Sequence, residues 1–455
     1  MATIDMLNAQ KEYFKTGETL SYKFRRTQLK KLREVIVSNE DKILKALKED
    51  LGKNEIEGYM CEVGLVLGEI DFILKNMKKY MRRNRVLTGL ANFPAKSYTK
   101  ACPKGSILIM SPWNYPFMLT IEPLVDAMAA GNTAIVKPSA YSPATSQVIF
   151  DLLTQTFKPE YINVVMGGRA VNQDLLTLPF EHIFFTGSKT VGHEVLKQAE
   201  KNMVPVTLEL GGKSPCIVTE SAKIKLAAKR IVFGKFMNVG QTCVAPDYVL
   251  VHESVKDELL KEIINQIKVQ YGENPLEDDL YGKIISEKHF NNTLKFLENQ
   301  EITYGGKSNA ETLKIEPTII DGPSLDSLIM QEEIFAPILP IVTYKTLEEA
   351  LKIIRRNDTP LALYLFTEKT SDRDFFFNSV QFGGGCLNDT IMHLATSRLA
   401  FGGVGESGLG AYHGKRGFDT FSHYKSIVEK STTIDVPVRY RPHTKFKRKI
   451  IEKML

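Results

Sequence analysis

Long apolar runs are missing from this 455-residue chain, and no stretch approaches the length a helix needs to span a bilayer. Cysteine is scarce. Cys61, Cys102, Cys216, Cys243 and Cys386 are odd in number, widely spaced and without a CxxC pair. That pattern excludes a disulfide framework and implies free thiols in a reducing compartment. None of the eight histidines stands at an HxxxH spacing or beside a cysteine, so no metal site is expected. Position 2 is alanine, which excludes N-myristoylation, and the first residues hold no apolar segment of a secretory signal. Together these absences imply a cytoplasmic protein.

Charge of one sign is lacking too, once the excess is located. The net charge is +6, and residues 436–455 carry seven Lys/Arg against one Glu, which accounts for all of it. The remaining chain balances at 52 basic and 52 acidic residues, from totals of 59 and 53. A balanced body argues against nucleic-acid binding. In the tail, Phe446, Ile450, Ile451, Met454 and Leu455 fall on one face of a helix over 444–455, with lysines and Arg448 elsewhere. Such a helix either packs on its own protein or contacts an anionic membrane surface peripherally.

The patterns that are present indicate an α/β protein of two or three domains. Residues 18–85 read as helical. Short apolar strands then alternate with helices. Ile107–Met110, Ala134–Val136, Asn163–Met166 and Ile183–Thr186 are the strands, with helices near 116–129, 143–156, 171–178 and 190–201. A second alternating block starts at Val206 and runs to about 395, with strands at Cys216–Val218, Tyr248–Val251 and Ile338–Thr343. Two α/β blocks suggest two lobes, each a mostly parallel sheet flanked by helices, with a cleft between them. Seven glycines between 402 and 417 mark an irregular, close-packed loop.

Three segments carry candidate chemistry. Cys243 lies in Gly240-Gln241-Thr242-Cys243-Val244-Ala245-Pro246, where flanking Gly and Pro mark a loop that can expose a thiol. Glu209 sits where an apolar strand enters the turn Leu210-Gly211-Gly212-Lys213. There it either caps the turn or, if partly buried, serves as a general base. Asn114 follows a strand in Ser111-Pro112-Trp113-Asn114-Tyr115-Pro116, beside the only tryptophan. It suits a helix N-cap or an amide aimed at a developing oxyanion.

PWNYP, VTLELGGKSP, GQTCVAPDY, QEEIFAP and FGGVGESGLG, in this order, resemble the successive signatures of the aldehyde dehydrogenase superfamily. The resemblance covers roughly residues 10–430, and GLGAYHGKRGFDTFSH brings it nearest to the class 3 and fatty aldehyde dehydrogenases. It implies Cys243 as nucleophile, Glu209 as general base and Asn114 as oxyanion donor, oxidising an aldehyde to its acid through a thioester. It further implies a two-lobed fold with a small bridging β element. Residues 1–80 and 101–207 would bind the cofactor, 208–395 would form the catalytic domain, 81–100 and 396–430 would bridge, and 431–455 would be a basic tail.

No GxGxxG follows the first strand, so the usual dinucleotide fingerprint is absent. The resemblance assigns cofactor binding instead to Lys137, Gly187, Ser188, Gly192, Leu210, Glu333 and Phe335. Where the family commonly has Glu after Lys-Pro-Ser, this chain has Ala140. Losing that carboxylate removes repulsion against a 2′-phosphate, so NAD or NADP is expected. Tyr115, Met118, Met237 and Ile391 are expected to wall an apolar substrate tunnel, with Val239 narrowing it near the thiol. Medium or long aliphatic and aromatic aldehydes are the expected substrates. Segment Thr420–Ser426 resembles the family's bridging strand, and a homodimer is implied. A same-fold acyl-phosphate or acyl-thioester reductase would not need Glu209, and a non-catalytic descendant would need none of the three residues.

Overall fold

The computed structural model describes residues 2–455. Its first sheet has six strands in the order Gly408–Leu409, Val206–Glu209, His182–Thr186, Ser106–Met110, Thr133–Lys137 and Ile162–Val164. All neighbours are parallel except Gly408–Leu409, which runs antiparallel along the Val206–Glu209 edge. The run Ser-Ile-Leu-Ile-Met at 106–110 is buried throughout, as a central parallel strand covered on both faces must be. Strand order reverses between Ser106–Met110 and His182–Thr186, and their carboxyl ends open a crevice there.

The second sheet has seven strands, ordered Ile302–Tyr304, Thr318–Asp321, Ile338–Tyr344, Tyr248–His252, Pro215–Val218, Ala362–Phe366 and Gly384–Leu387. Only the first of these is antiparallel. A third sheet of Asn84–Val86, Ala95–Pro103 and Ser422–Lys430 is wholly antiparallel. One apolar core passes from Ile107 and Ile109 through Phe117 and Leu124 to Val218, Val249 and Tyr364, so the two lobes share it. Helix Met118–Ala130 is buried along its whole length and stops at Gly131, whose φ of 93° suits a left-handed cap. Truncating Leu124 within it to alanine costs about 2–5 kcal/mol.

Several expectations shift. The second block begins at Pro215 and not at Val206, because Val206–Glu209 hydrogen-bonds to His182–Thr186 and so completes the first sheet. The strand expected at Asn163–Met166 is Ile162–Val164, since the chain turns off at Gly167 with φ 141°. The strand expected at Thr420–Ser426 is Ser422–Lys430, because Ala95–Pro103 offers it nine paired positions. Helix Thr3–Lys15 was not legible in the pattern. It docks through Leu7 and through Gln10, whose amide donates to the Ala134 carbonyl at 2.7 Å. The tail forms helix Lys445–Met454, with Ile450, Ile451 and Met454 half-buried and Phe446 and Leu455 exposed. No described helix is long and apolar enough to cross a membrane.

Candidate active site

Parallel strands deliver the candidate residues to one place. Met110 leads into Trp113 and Asn114, Thr186 into Gly187 and Ser188, and Glu209 ends the strand next to it. The Gly187 N–H donates to the Glu209 carbonyl at 3.0 Å, and the Leu210 N–H to the Ser407 carbonyl at 3.1 Å. The glycine-rich segment therefore braces the Glu209 strand from outside. A Cβ on Gly408 would lie 2.5 Å from the Leu208 carbonyl, so only glycine allows that approach.

The Cys243 loop is held in a conformation that sequence propensity opposes. Asn238, Val239 and Gly240 take φ of 52°, 55° and 74° in succession. Left-handed backbone is costly for a β-branched valine. Side-chain hydrogen bonds and packing oppose that cost. Glu57 accepts from the Asn238 N–H at 2.7 Å. Gln241 donates to the carbonyls of Asn238 and Lys283, each at 3.1 Å, and accepts from the Ile285 N–H at 3.0 Å. Val239 packs among Tyr281, Ile284, Phe290 and Ile315. It therefore lies away from the thiol and does not narrow the tunnel, as its position before GQTC suggests. A Cβ on Gly240 would meet the Ala336 carbonyl at 2.3 Å.

Asn114 is buried, and its side-chain amide donates to the Gln241 carbonyl at 3.0 Å, next to the nucleophile loop. It does not cap helix Met118–Ala130, which has no side-chain cap. Tyr115 and Thr242 share a hydroxyl hydrogen bond at 2.6 Å. Glu209 is 1 % exposed, and neither carboxylate oxygen has a hydrogen-bond partner among the described residues. It therefore does not cap the glycine turn.

Burial controls the electrostatics. It pushes the Glu209 carboxyl well above its ordinary range. Glu333 is pushed up to about 8, by burial first and by Asp247 second. The Cys243 thiol is pushed up to about 12, by burial first and then by Glu333 and Glu209. Three anions sharing one buried space would repel, which raises the affinity of each group for its proton. Lys213, buried and paired with Asp247, donates to the carbonyls of Ile329 and Glu332, each at 2.8 Å. Asp247 accepts from the Ile334 N–H at 2.9 Å. This pair pins the segment that presents Glu333.

Two cavities meet at the thiol. One, of about 270 Å³, is lined by Asn114, Gly187, Ser188, Glu209, Leu210, Cys243, Glu333 and Phe335, joined by Trp113 and His289. The other, of about 110 Å³, is apolar and includes all four expected wall residues, Tyr115, Met118, Met237 and Ile391. Cys243 and Leu119 line both. Neither Lys137 nor Gly192 lines either one. Gly192 lets its helix close on Leu210, where a Cβ would come within 2.8 Å of the side chain. A profile described as the aldehyde dehydrogenase family matches residues 3–427. The chain belongs to that family.

The 4,4′-diaponeurosporen-aldehyde dehydrogenase of Staphylococcus aureus is 50% identical over 440 residues, which cover 96% of each chain. The dimeric, NADP-preferring aldehyde dehydrogenase of Rattus norvegicus is 41% identical, over 94% of each chain. The substrate-bound structure of Staphylococcus aureus AldH superposes with a TM-score of 0.97 at 48% identity, covering 100% of this chain and 99% of that one. This aldehyde dehydrogenase is thus an oxidoreductase that converts an aldehyde to its acid with a nicotinamide cofactor.

The crevice suits such a cofactor on its own evidence. Thr186 and Glu209 leave buried oxygens unbonded in it. Helix Lys189–Glu200 begins just after Ser188, which lines the crevice, so the N–H groups of its first turn are at hand for an anion. Gly211 leaves room where a Cβ would strike the Glu333 carboxylate at 2.2 Å. Lys137 is buried, not solvated, and its ammonium donates to the Pro138 carbonyl at 2.7 Å. Burial alone lowers it to about 8, with no neighbouring charge opposing the shift. Sequence reasoning missed His289, which packs edge-on against Trp113 at 4.8 Å between ring centroids. A lone histidine 46 residues past Cys243 offers no local signal.

Proposed function

We infer that this protein oxidises apolar aldehydes through a thioester on Cys243, with Asn114 and the Cys243 N–H as oxyanion donors and Glu209 as the hydrolytic base. The observation that carries this reading is the position of Cys243 on the wall common to an apolar cavity and a polar crevice. An aldehyde in the first presents its carbonyl to the thiolate, while the second takes the cofactor. Cys243 loses its thiol proton to solvent, its sulfur adds to the carbonyl carbon, and the amide N–H groups receive the alkoxide. Bound nicotinamide supplies the two-electron acceptor that the oxidation requires. Glu209 then takes a proton from water, the hydroxide attacks the thioester, and Cys243 leaves. NAD(P)H formation with a panel of aldehydes, run beside Cys243→Ala, tests this. Activity surviving the substitution overturns it.

Lys137, Gly187, Ser188, Gly192, Leu210, Glu333 and Phe335 hold the cofactor in this reading. Ala140 is exposed one loop beyond the buried Lys137, which leaves a cation without a carboxylate rival for a 2′-phosphate. NADP is then accepted at least as well as NAD, and the NADP preference of the rat relative supports this. Medium or long aliphatic and aromatic aldehydes suit the apolar walls. The first sheet with its helices is the cofactor domain, the second the catalytic domain, and the third a bridge. The dimeric rat relative supports a homodimer. A cytoplasmic protein with the tail resting on anionic lipid accounts for exposed Phe446 and Leu455 among lysines. Liposome co-sedimentation of the full chain against residues 1–435 decides that point, equal binding removing it.

A further inference from the structure

Lys53 and Glu62 lie outside both cavities, yet they are among the most deeply buried charged side chains in the protein, at 1 % and 0 % exposure. A solvated ion pair needs no such place, and burying one is costly unless each remaining bond is made. Here they are made, and all of them end on the Asn114 segment. Lys53 Nζ donates to Glu62 Oε1 at 2.5 Å and to the Asn114 carbonyl at 2.9 Å, and it sits 4.0 Å from the centre of the Tyr115 ring. Glu62 Oε2 accepts from the N–H groups of Phe117 and Met118, at 2.8 and 3.0 Å. Glu62 reaches them from a single π turn, Tyr59–Val63, which interrupts the helical run. The Asn114 carbonyl also accepts from the Asn238 side-chain amide at 2.8 Å, and that same amide donates to the Gln241 carbonyl at 3.0 Å. The Asn114 backbone is thus fastened from both sides, by Lys53 and by the nucleophile loop.

We propose that the Lys53–Glu62 pair is the positioning device of the oxyanion site, setting the distance between the Asn114 amide and the Cys243 sulfur. The pair lines neither cavity, so it acts through the 114–118 segment that it fastens and that carries Asn114. This rests on the reading of Cys243 and Asn114 given above. In Lys53→Met, and in the neutral pair Lys53→Met/Glu62→Gln should the single variant not fold, the NAD(P)H burst rate falls at least tenfold. KM for the aldehyde and Kd for the cofactor move less than threefold. Lys53→Arg recovers most of the rate. Emission from Trp113, the only tryptophan and the neighbour of Asn114, shifts in the Met variants and returns in the Arg variant. In an Asn114→Ala background the Lys53 substitution adds less than a twofold further loss, since the group it positions is gone. A multiplicative loss in that background, or a normal burst in folded Lys53→Met/Glu62→Gln, overturns the proposal. Activity surviving Cys243→Ala would instead strike the underlying mechanism, so the two failures are separable.

Discussion

The two sides of Cys243 are built by opposite rules. On one side Asn114 is tied down, with one side-chain N–H still free. Its amide bonds to Gln241 and its carbonyl takes hydrogen bonds from Lys53 and Asn238. On the other side Glu209 is equally buried, and both its oxygens are left without a partner. A group that must hold a fixed dipole against a growing charge gains from being tied down. A group that must accept a proton and release it would be slowed by any hydrogen bond that favoured one protonation state. The difference separates the donor that stays from the base that cycles.

Mutation tests that contrast at graded strength. Cys243→Ala removes the atom both sides serve and lowers aldehyde-dependent NAD(P)H formation by on the order of 10⁴-fold or more, read by absorbance at saturating substrate. Glu209→Gln keeps the shape and removes the base, so turnover falls by about 10²–10⁴-fold. Rapid-mixing traces of that variant keep a full first burst, because thioester formation does not use the base; loss of the burst would join the two sides into one function. Asn114→Ala slows the burst itself, by about 10²–10³-fold in kcat.

A smaller effect concerns pH. The carboxyl of Glu209 lies well above its ordinary range, and only its ionised form can take the water proton. Deacylation therefore rises with pH above the ordinary carboxylate range, because burial moves the loss of the Glu209 proton upward. Single-turnover acid release in the wild type should show the climb, and a flat profile would mean the base is already ionised. Smallest of all, Ala140→Glu shifts the ratio of kcat/KM for NAD over NADP by roughly tenfold toward NAD, equivalent to about 1.4 kcal/mol. An unchanged ratio places the 2′-phosphate elsewhere.

What could be seen in the sequence was whatever chemistry places at fixed local spacing. Cys243 between Gly240 and Pro246, Glu209 before Gly211, and Asn114 after a strand all carry their context with them, as do the apolar runs of the first sheet. Tertiary partnership was not visible. Nothing around Lys53 indicates a pair with Glu62, because no local spacing marks the π turn that aims Glu62 inward. Val239 looked like a pocket residue because of its neighbour in sequence, but its left-handed backbone turns it into a cluster with Tyr281 and Phe290. The strand Val206–Glu209 read as the start of the second block because only its pairing, not its composition, assigns it to the first.

The first lobe is also finished late. Its edge strand Gly408–Leu409, the Phe421 carbonyl that binds the Asn132 amide, and the Gly414 N–H that binds Glu69 all come from the last part of the chain, the last two at separations of 289 and 345 residues. During synthesis the amino-terminal half leaves the ribosome with an open sheet edge and the buried carboxylate of Glu69 still lacking that partner. Loop closure over such distances is slow, and unpaired strand edges invite association. The nascent protein therefore passes through an interval in which Asn114, Glu209 and Cys243 have all been made and the Glu209 strand is still unbraced by Ser407–Leu409.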